Sequence, residues 1–189
     1  MTPRIAPLEP PYAPEVGARL EAMMPAGVPP IALFRTFARN LPMTEAMGPW
    51  GAYELSRALS LTLRQREIVI DRVTARCGAE YEWGVHVAFF AAKAGLTSEQ
   101  VASLVHGSAA DSCWSSDPSD GLVIELVDAL HDTSDVPDAL WARAASTFES
   151  AQLLDLLLLA GWYHAISYVC VAARVPLEEG APTFASVRP

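Results

Sequence analysis

Residues 151–173 form an almost unbroken apolar run, and no other stretch narrows the fold as much. The run is too long for a strand, which usually spans about 3–10 residues, and it lacks alternating polarity. It is read as a helix. Its length would allow it to cross a bilayer. However, Gln152, Asp155 and His164 interrupt it, and neither flank carries clustered basic residues. The expected state is a helix buried in a core or covering a subunit interface, with no membrane partner.

The remaining pattern supplies helices to pack against it. An apolar stripe at Ile31, Leu33, Phe34 and Phe37 ends at Asn40, and a second helical stretch runs from Thr44 to Leu59, weakened at Gly48-Pro49. Thr62-x-x-Gln65 reads as a capping box opening a helix that carries Glu67 and fades at Cys77-Gly78. A helix through Tyr81 and His86 continues to Lys93 and stops at Gly95. Thr97-x-x-Gln100 is a further box, for a short helix ending near His106-Gly107. Helices recur at 120–132, 137–148 and 149–174, the last opened by Ser146-x-x-Glu149. No strand periodicity stands out, so the fold class is all-α.

Eight of the fifteen prolines fall in residues 1–30. This arm holds at most a short helix near Glu15–Met24 and is expected to wrap a neighbour or stay mobile. The helical domain spans 31–176, with a motif half at 31–107, a Ser- and Asp-rich linker at 108–119 and a second half at 120–176; a tail follows at 177–189. Trp162-Tyr163-His164 faintly echoes the segment around Trp83 and His86, a hint of duplicated helical halves.

Charge excludes one class of partner. The formal net charge of −9 leaves no basic run to neutralise phosphates, so nucleic acid is not expected. An acid-binding pocket would need local cations, for which Arg64, Arg66, Arg72 and Arg76 are nearest, although a solvated helix face is the ordinary use of such residues. Cys77, Cys113 and Cys170 make neither a disulfide framework nor a zinc pattern. With no apolar leader at the start, a reducing cytoplasm is the default expectation.

The chemistry concentrates in Glu80-Tyr81-Glu82-Trp83-Gly84-Val85-His86. Glu82 and His86 lie one helical turn apart on one face, where an acid can hold the tautomer of an imidazole and poise it near neutral pH. Glu67 sits among Ile68, Val69 and Ile70, where an inward-facing carboxylate would be costly unless paired. No Gly-x-Ser-x-Gly elbow or phosphate-binding glycine loop is present.

The run from Leu61 to Ile70, followed by Arg76–Trp83, His86 and Ala94-Gly95-Leu96, resembles the carboxymuconolactone decarboxylase family and the related AhpD-like alkylhydroperoxidases. The resemblance implies an AhpD-like helical bundle and a symmetric homo-oligomer. It places the family's helix glutamate on Glu67 and its final histidine on His86. The two cysteines of the redox branch fall on Ala79 and Glu82, and the histidine between them on Tyr81, so the thiol pair is absent.

The resulting expectation is a cofactor-free acid–base enzyme acting on a small organic acid or lactone, with Glu67, Glu82 and His86 as catalytic residues and Tyr81 and Trp83 at the substrate. His86 would titrate near neutrality, since two acids favour its charge and apolar burial opposes it. The alternatives are peroxide reduction through Cys77 and a non-catalytic oligomeric scaffold. His106, His131 and His164 match no motif and are read as structural or surface residues. A metal site built on Glu82, His86 and a distant histidine lacks a compact ligand set, so no metal is expected.

Overall fold

A computed structural model describes residues 2–187. Arg188 and Pro189, the end of the expected tail, lie outside the described residues, as does Met1 at the start of the arm. Among the described residues there are nine α-helices and no strand. In chain order they are α1 (Pro14–Ala22), α2 (Ala32–Phe37), α3 (Leu41–Glu54), α4 (Leu63–Arg76), α5 (Glu80–His86), α6 (Ser98–His106), α7 (Pro118–Thr133), α8 (Asp138–Thr147) and α9 (Ser150–Ala173).

Local signals set most of the ends. The boxes at Thr62/Gln65 and Thr97/Gln100 both form, and Gly78 and Gly95 take the left-handed backbone that stops the helices before them. Three expectations differ. The stretch expected to weaken at Gly48-Pro49 is one helix with Pro49 inside it; Asn40 caps its start, and Arg19 bonds the Thr44 carbonyl in the turn before the proline. The box opening α9 is Glu149/Gln152, because Phe148 is extended and ends α8 first. The helix expected to run to Lys93 is α-helical only to His86, then makes one π-helical stretch over Val87–Ala91. That insertion re-aims the aromatic pair Phe89 and Phe90.

The hydrophobic core is built around α4, whose most extensive packing is against α7 and α9. Ile68, Val69 and Ile70 meet Trp83, Leu104, Leu126, Leu156 and Leu159 in the main cluster. Leu33, Phe37, Val85, Ile166 and Cys170 form a second cluster between α2, α5 and α9. One face of α9 is buried in both clusters, whereas Leu154, Leu158 and Tyr168 on its other face are more than half exposed.

The two chain ends act as straps. The N-terminal arm is bound to its own chain, with the Arg4 amide on the Ala173 carbonyl (2.8 Å), the Leu8 amide on the Arg35 carbonyl (3.1 Å) and Arg39 on the Ala6 carbonyl. These bonds hold the start of the arm against α2 and α9 of the same chain. At the other end Glu178 accepts from the Ala32 amide (2.6 Å), and the Phe184 amide donates to Glu80 (2.8 Å). The chain at Pro182 passes directly over Gly84, where any Cβ would run into the Pro182 carbonyl oxygen. Gly84→Ala should therefore destabilise the fold by about 1–3 kcal/mol, the usual range for overpacking. Urea denaturation with an unchanged midpoint would refute this close approach.

Candidate acid–base site

Glu67 is the buried acid of α4. Its side chain is wholly removed from solvent, a position that requires compensation by charge and hydrogen bonds. Both come from neighbours. Arg66 donates to Oε1 through Nε (2.7 Å), with its Nη2 at 2.6 Å from the same oxygen. His86 from α5 places Nδ1 at 2.9 Å from Oε2. On its other side His86 Nε2 stands 3.6 Å from Glu82 Oε1, close enough for an ion pair but too long for a good hydrogen bond. Arg66, Glu67, His86 and Glu82 thus form a row of alternating charge that sums to zero when the imidazole is protonated.

Desolvation of His86 opposes that proton, but the hydrogen bond to Glu67 and the nearby charges of Glu67 and Glu82 outweigh it and raise the pKa from 6.5 to about 10. The expectation of titration near neutrality is corrected: this is a standing imidazolium. Nδ1–H is committed to Glu67, leaving Nε2–H aimed toward Glu82 and the space beside it.

That space is a cavity of about 410 Å³, lined by Glu82, His86 and Tyr163 with an apolar wall that includes Phe34, Phe37, Met47, Phe90 and Trp162. The size suits a small organic ligand. Glu82 Oε2 is buried without a hydrogen-bond partner, an acceptor left for something in the cavity. The Tyr163 ring meets His86 edge-on at 5.0 Å, and burial first, then the charges of Glu82 and Glu67, push its hydroxyl well up, so it is a neutral phenol.

Two expected residues are not brought to the cavity. The Tyr81 hydroxyl donates to Glu178 (2.6 Å) and accepts from the Leu33 amide (3.0 Å), which makes it a tie between α2, α5 and the tail. Trp83 is fully buried in the main core, with its ring 5.1 Å from that of Phe184. Residues 81 and 83 flank Glu82 on a helix, so only one of the three can face the cavity squarely.

Other residues were not legible as parts of the site. Arg19 on α1 lines the cavity, with Nη2 on the Thr44 carbonyl (3.0 Å) and a buried Nε that has no partner. Asp71, one turn after Glu67, is fully buried with both oxygens unpartnered; burial and the charge of Glu67 push its carboxyl well up, opposed by His86. Its i,i+4 spacing from Glu67 was the available signal, whereas nothing near Arg19 in sequence marks it. Of the arginines given a solvated face, Arg66 and Arg72 are instead buried and Arg64 is half-buried, whereas Arg76 is exposed; Arg64, Arg72 and Arg76 pair with Asp120, Asp128 and Asp132 respectively.

Residues 44–117, which contain Glu67, Glu82 and His86, match the model of the carboxymuconolactone decarboxylase family. The motif half of this chain carries that family's pattern, within an AhpD-like all-α fold. A crystal structure described as an uncharacterized peroxidase-related protein from Silicibacter sp. TM1040 superimposes with a TM-score of 0.79, covering 96% of this chain and 93% of its own. The identity is 15%, so the likeness is one of fold. Among curated proteins there is no match.

The raised pKa of His86 links protonation to stability. The contribution of its ion pairs is complete below the unfolded value near 6.5 and is lost as pH rises toward about 10. The imidazole protons should titrate by NMR near pH 10, and urea stability should fall between pH 7 and about 10. His86→Gln should be less stable at pH 7 by about 3–5 kcal/mol, the usual loss on breaking a buried pair. A midpoint near 6.5 would show that the carboxylates do not control the ring.

Proposed function

We propose that this protein is a cofactor-free acid–base enzyme acting on a small organic acid or lactone, by decarboxylation or a related proton transfer. The observation that carries the reading is the open space beside His86 and Glu82. A scaffold that had lost its chemistry would be expected to fill that space with side chains.

In this reading the apolar wall holds the hydrocarbon part of the substrate and the spare Nε–H of Arg19 meets a carboxylate. The bond to the departing CO₂ breaks and leaves its electron pair on carbon, delocalised into a carbonyl of the substrate. His86 Nε2 then gives its proton to that carbon and recovers one from solvent. Glu67, backed by Arg66, keeps the imidazole charged and oriented, and Glu82 holds the substrate group in the gap it shares with Nε2. Isomerisation or hydration of a related acid would use the same parts.

The test is CO₂ release from a panel of β-keto acids and lactone carboxylic acids. For the substrate found, His86→Gln should lower kcat by about 10²–10⁴-fold, the usual range for a lost proton-transfer group. Arg19→Gln should act mainly on KM, because it removes ground-state binding. The parent rate should decline as pH rises through about 10, where the imidazolium is lost. Turnover by His86→Gln at the parent rate would remove His86 from the mechanism.

The description of the structural neighbour raises a second reading, peroxide reduction through Cys77. Burial pushes the Cys77 thiol up, only partly offset by Ser167 and Arg76, and the residue does not line the cavity. Both features work against a reactive thiolate. Peroxide consumption abolished by Cys77→Ser would nonetheless favour this second reading over the first.

We also propose a homo-oligomer, in the reducing cytoplasm that suits three free cysteines. The support is the exposed stripe of Leu154, Leu158, Tyr168 and Val171 along α9, an apolar face that a second copy would cover. Sedimentation at micromolar concentration should give a multiple of 20.3 kDa, reduced by Leu158→Glu. A parent mass of 20.3 kDa would refute it.

A further inference from the structure

Cys77, His131 and His164, three residues read from sequence as unrelated, come together outside the cavity. Cys77 caps the C-terminus of α4, His131 lies in the last turn of α7, and His164 is midway along α9. Their ligand atoms all lie within 4.8 Å of one another, with Cys77 Sγ 3.9 Å from His131 Nδ1. The two imidazoles stack with centroids 5.5 Å apart. The geometry points to a metal site: one thiolate and two imidazoles that take a zinc ion, with the fourth position open to water.

The donor set favours this ion. A sulfur and two neutral imidazole nitrogens suit borderline-soft Zn²⁺, whereas Mg²⁺ and Ca²⁺ require oxygen ligands. Tetrahedral zinc with these bond lengths places its ligand atoms roughly 3.4–3.6 Å apart, so contraction by up to about 1.4 Å through side-chain rotation closes the site. The supporting backbone is firm, since α7 and α9 are the main packing partners of α4.

Availability of the ligands points the same way. Among the described residues the His164 ring nitrogens make no hydrogen bond, and those of His131 meet only Cys77. All three side chains are partly exposed, which leaves an entry route and room for a water ligand. The local field is balanced: Arg72 and Arg76 are engaged by Asp128 and Asp132 rather than left as free positive charge. Binding exchanges the Cys77 proton for the metal, with no change of oxidation state. The bound ion would join the C-terminal ends of α4 and α7 to the middle of α9.

The protein, treated with chelator and returned to reducing buffer, is titrated with Zn²⁺ and separately with Co²⁺. We expect one equivalent of Zn²⁺ per chain by mass spectrometry, a thiolate-to-cobalt band in the near ultraviolet, and a rise in Tm with Zn²⁺. Cys77→Ser should abolish the cobalt band and, like His131→Asn or His164→Asn, weaken Zn²⁺ by at least about tenfold. Cys113→Ser should retain both. Zinc bound without a thiolate band, or equally well by Cys77→Ser, would place the ion on surface carboxylates and overturn the proposal. So would the absence of stoichiometric binding. None of these readings depends on the acid–base site, because Cys77, His131 and His164 lie outside its cavity.

Discussion

A carboxylate with no contact to water is the constraint around which this molecule is arranged. Glu67 is held there by Arg66 at one oxygen and by His86 at the other. That requirement fixes the spacing and rotation of α4 against α5, since a rotation of one residue would carry the carboxylate away from His86. It also forces the imidazole to keep its proton. Such arrangements are poor contributors to net stability, because desolvation of each charge offsets most of the attraction. The charged row is therefore held in place chiefly by the surrounding apolar packing.

The packing divides the labour between the faces of α4. Ile68, Val69 and Ile70 join the main core, and Glu67, held by Arg66, meets His86. Arg72 and Arg76 clamp α7 through Asp128 and Asp132. The π-helical stretch after His86 contributes to the same end: it sets Phe90 against the imidazole and under the Arg66 guanidinium, 5.1 Å from the ring centre. An aromatic face there shields the ion pairs from water while attracting the cation.

Helical class and most helix limits were legible in the chain because capping boxes and left-handed glycines act over three or four residues. The pairing of Glu67 with His86 was also legible, through the resemblance that placed both. The protonation state of the ring was not, because it depends on how closely two carboxylates approach once solvent is excluded. Tyr81 and Trp83 were misread for a similar reason: helix rotation decides which of three neighbouring residues faces a cavity, and rotation is set by distant partners such as Glu178 and Phe184. Arg19 lies in a proline-rich arm with no motif, and the Cys77, His131 and His164 cluster joins three helices whose sequence spacing carries no regularity. Both are products of tertiary packing alone.

The strap at Glu178 and Pro182 gives the chain an unusual order of assembly. It binds α2 and α5 across sequence separations as large as 146 residues, contacts that close late because the loop entropy must be met first. During synthesis α5 would emerge long before the segment that seats it. The charged row would then be loosely oriented until the Glu178–Pro182 segment arrived. Its geometry in this sense depends on residues far downstream, and a nascent chain carrying every residue of the row but not that segment would still lack it.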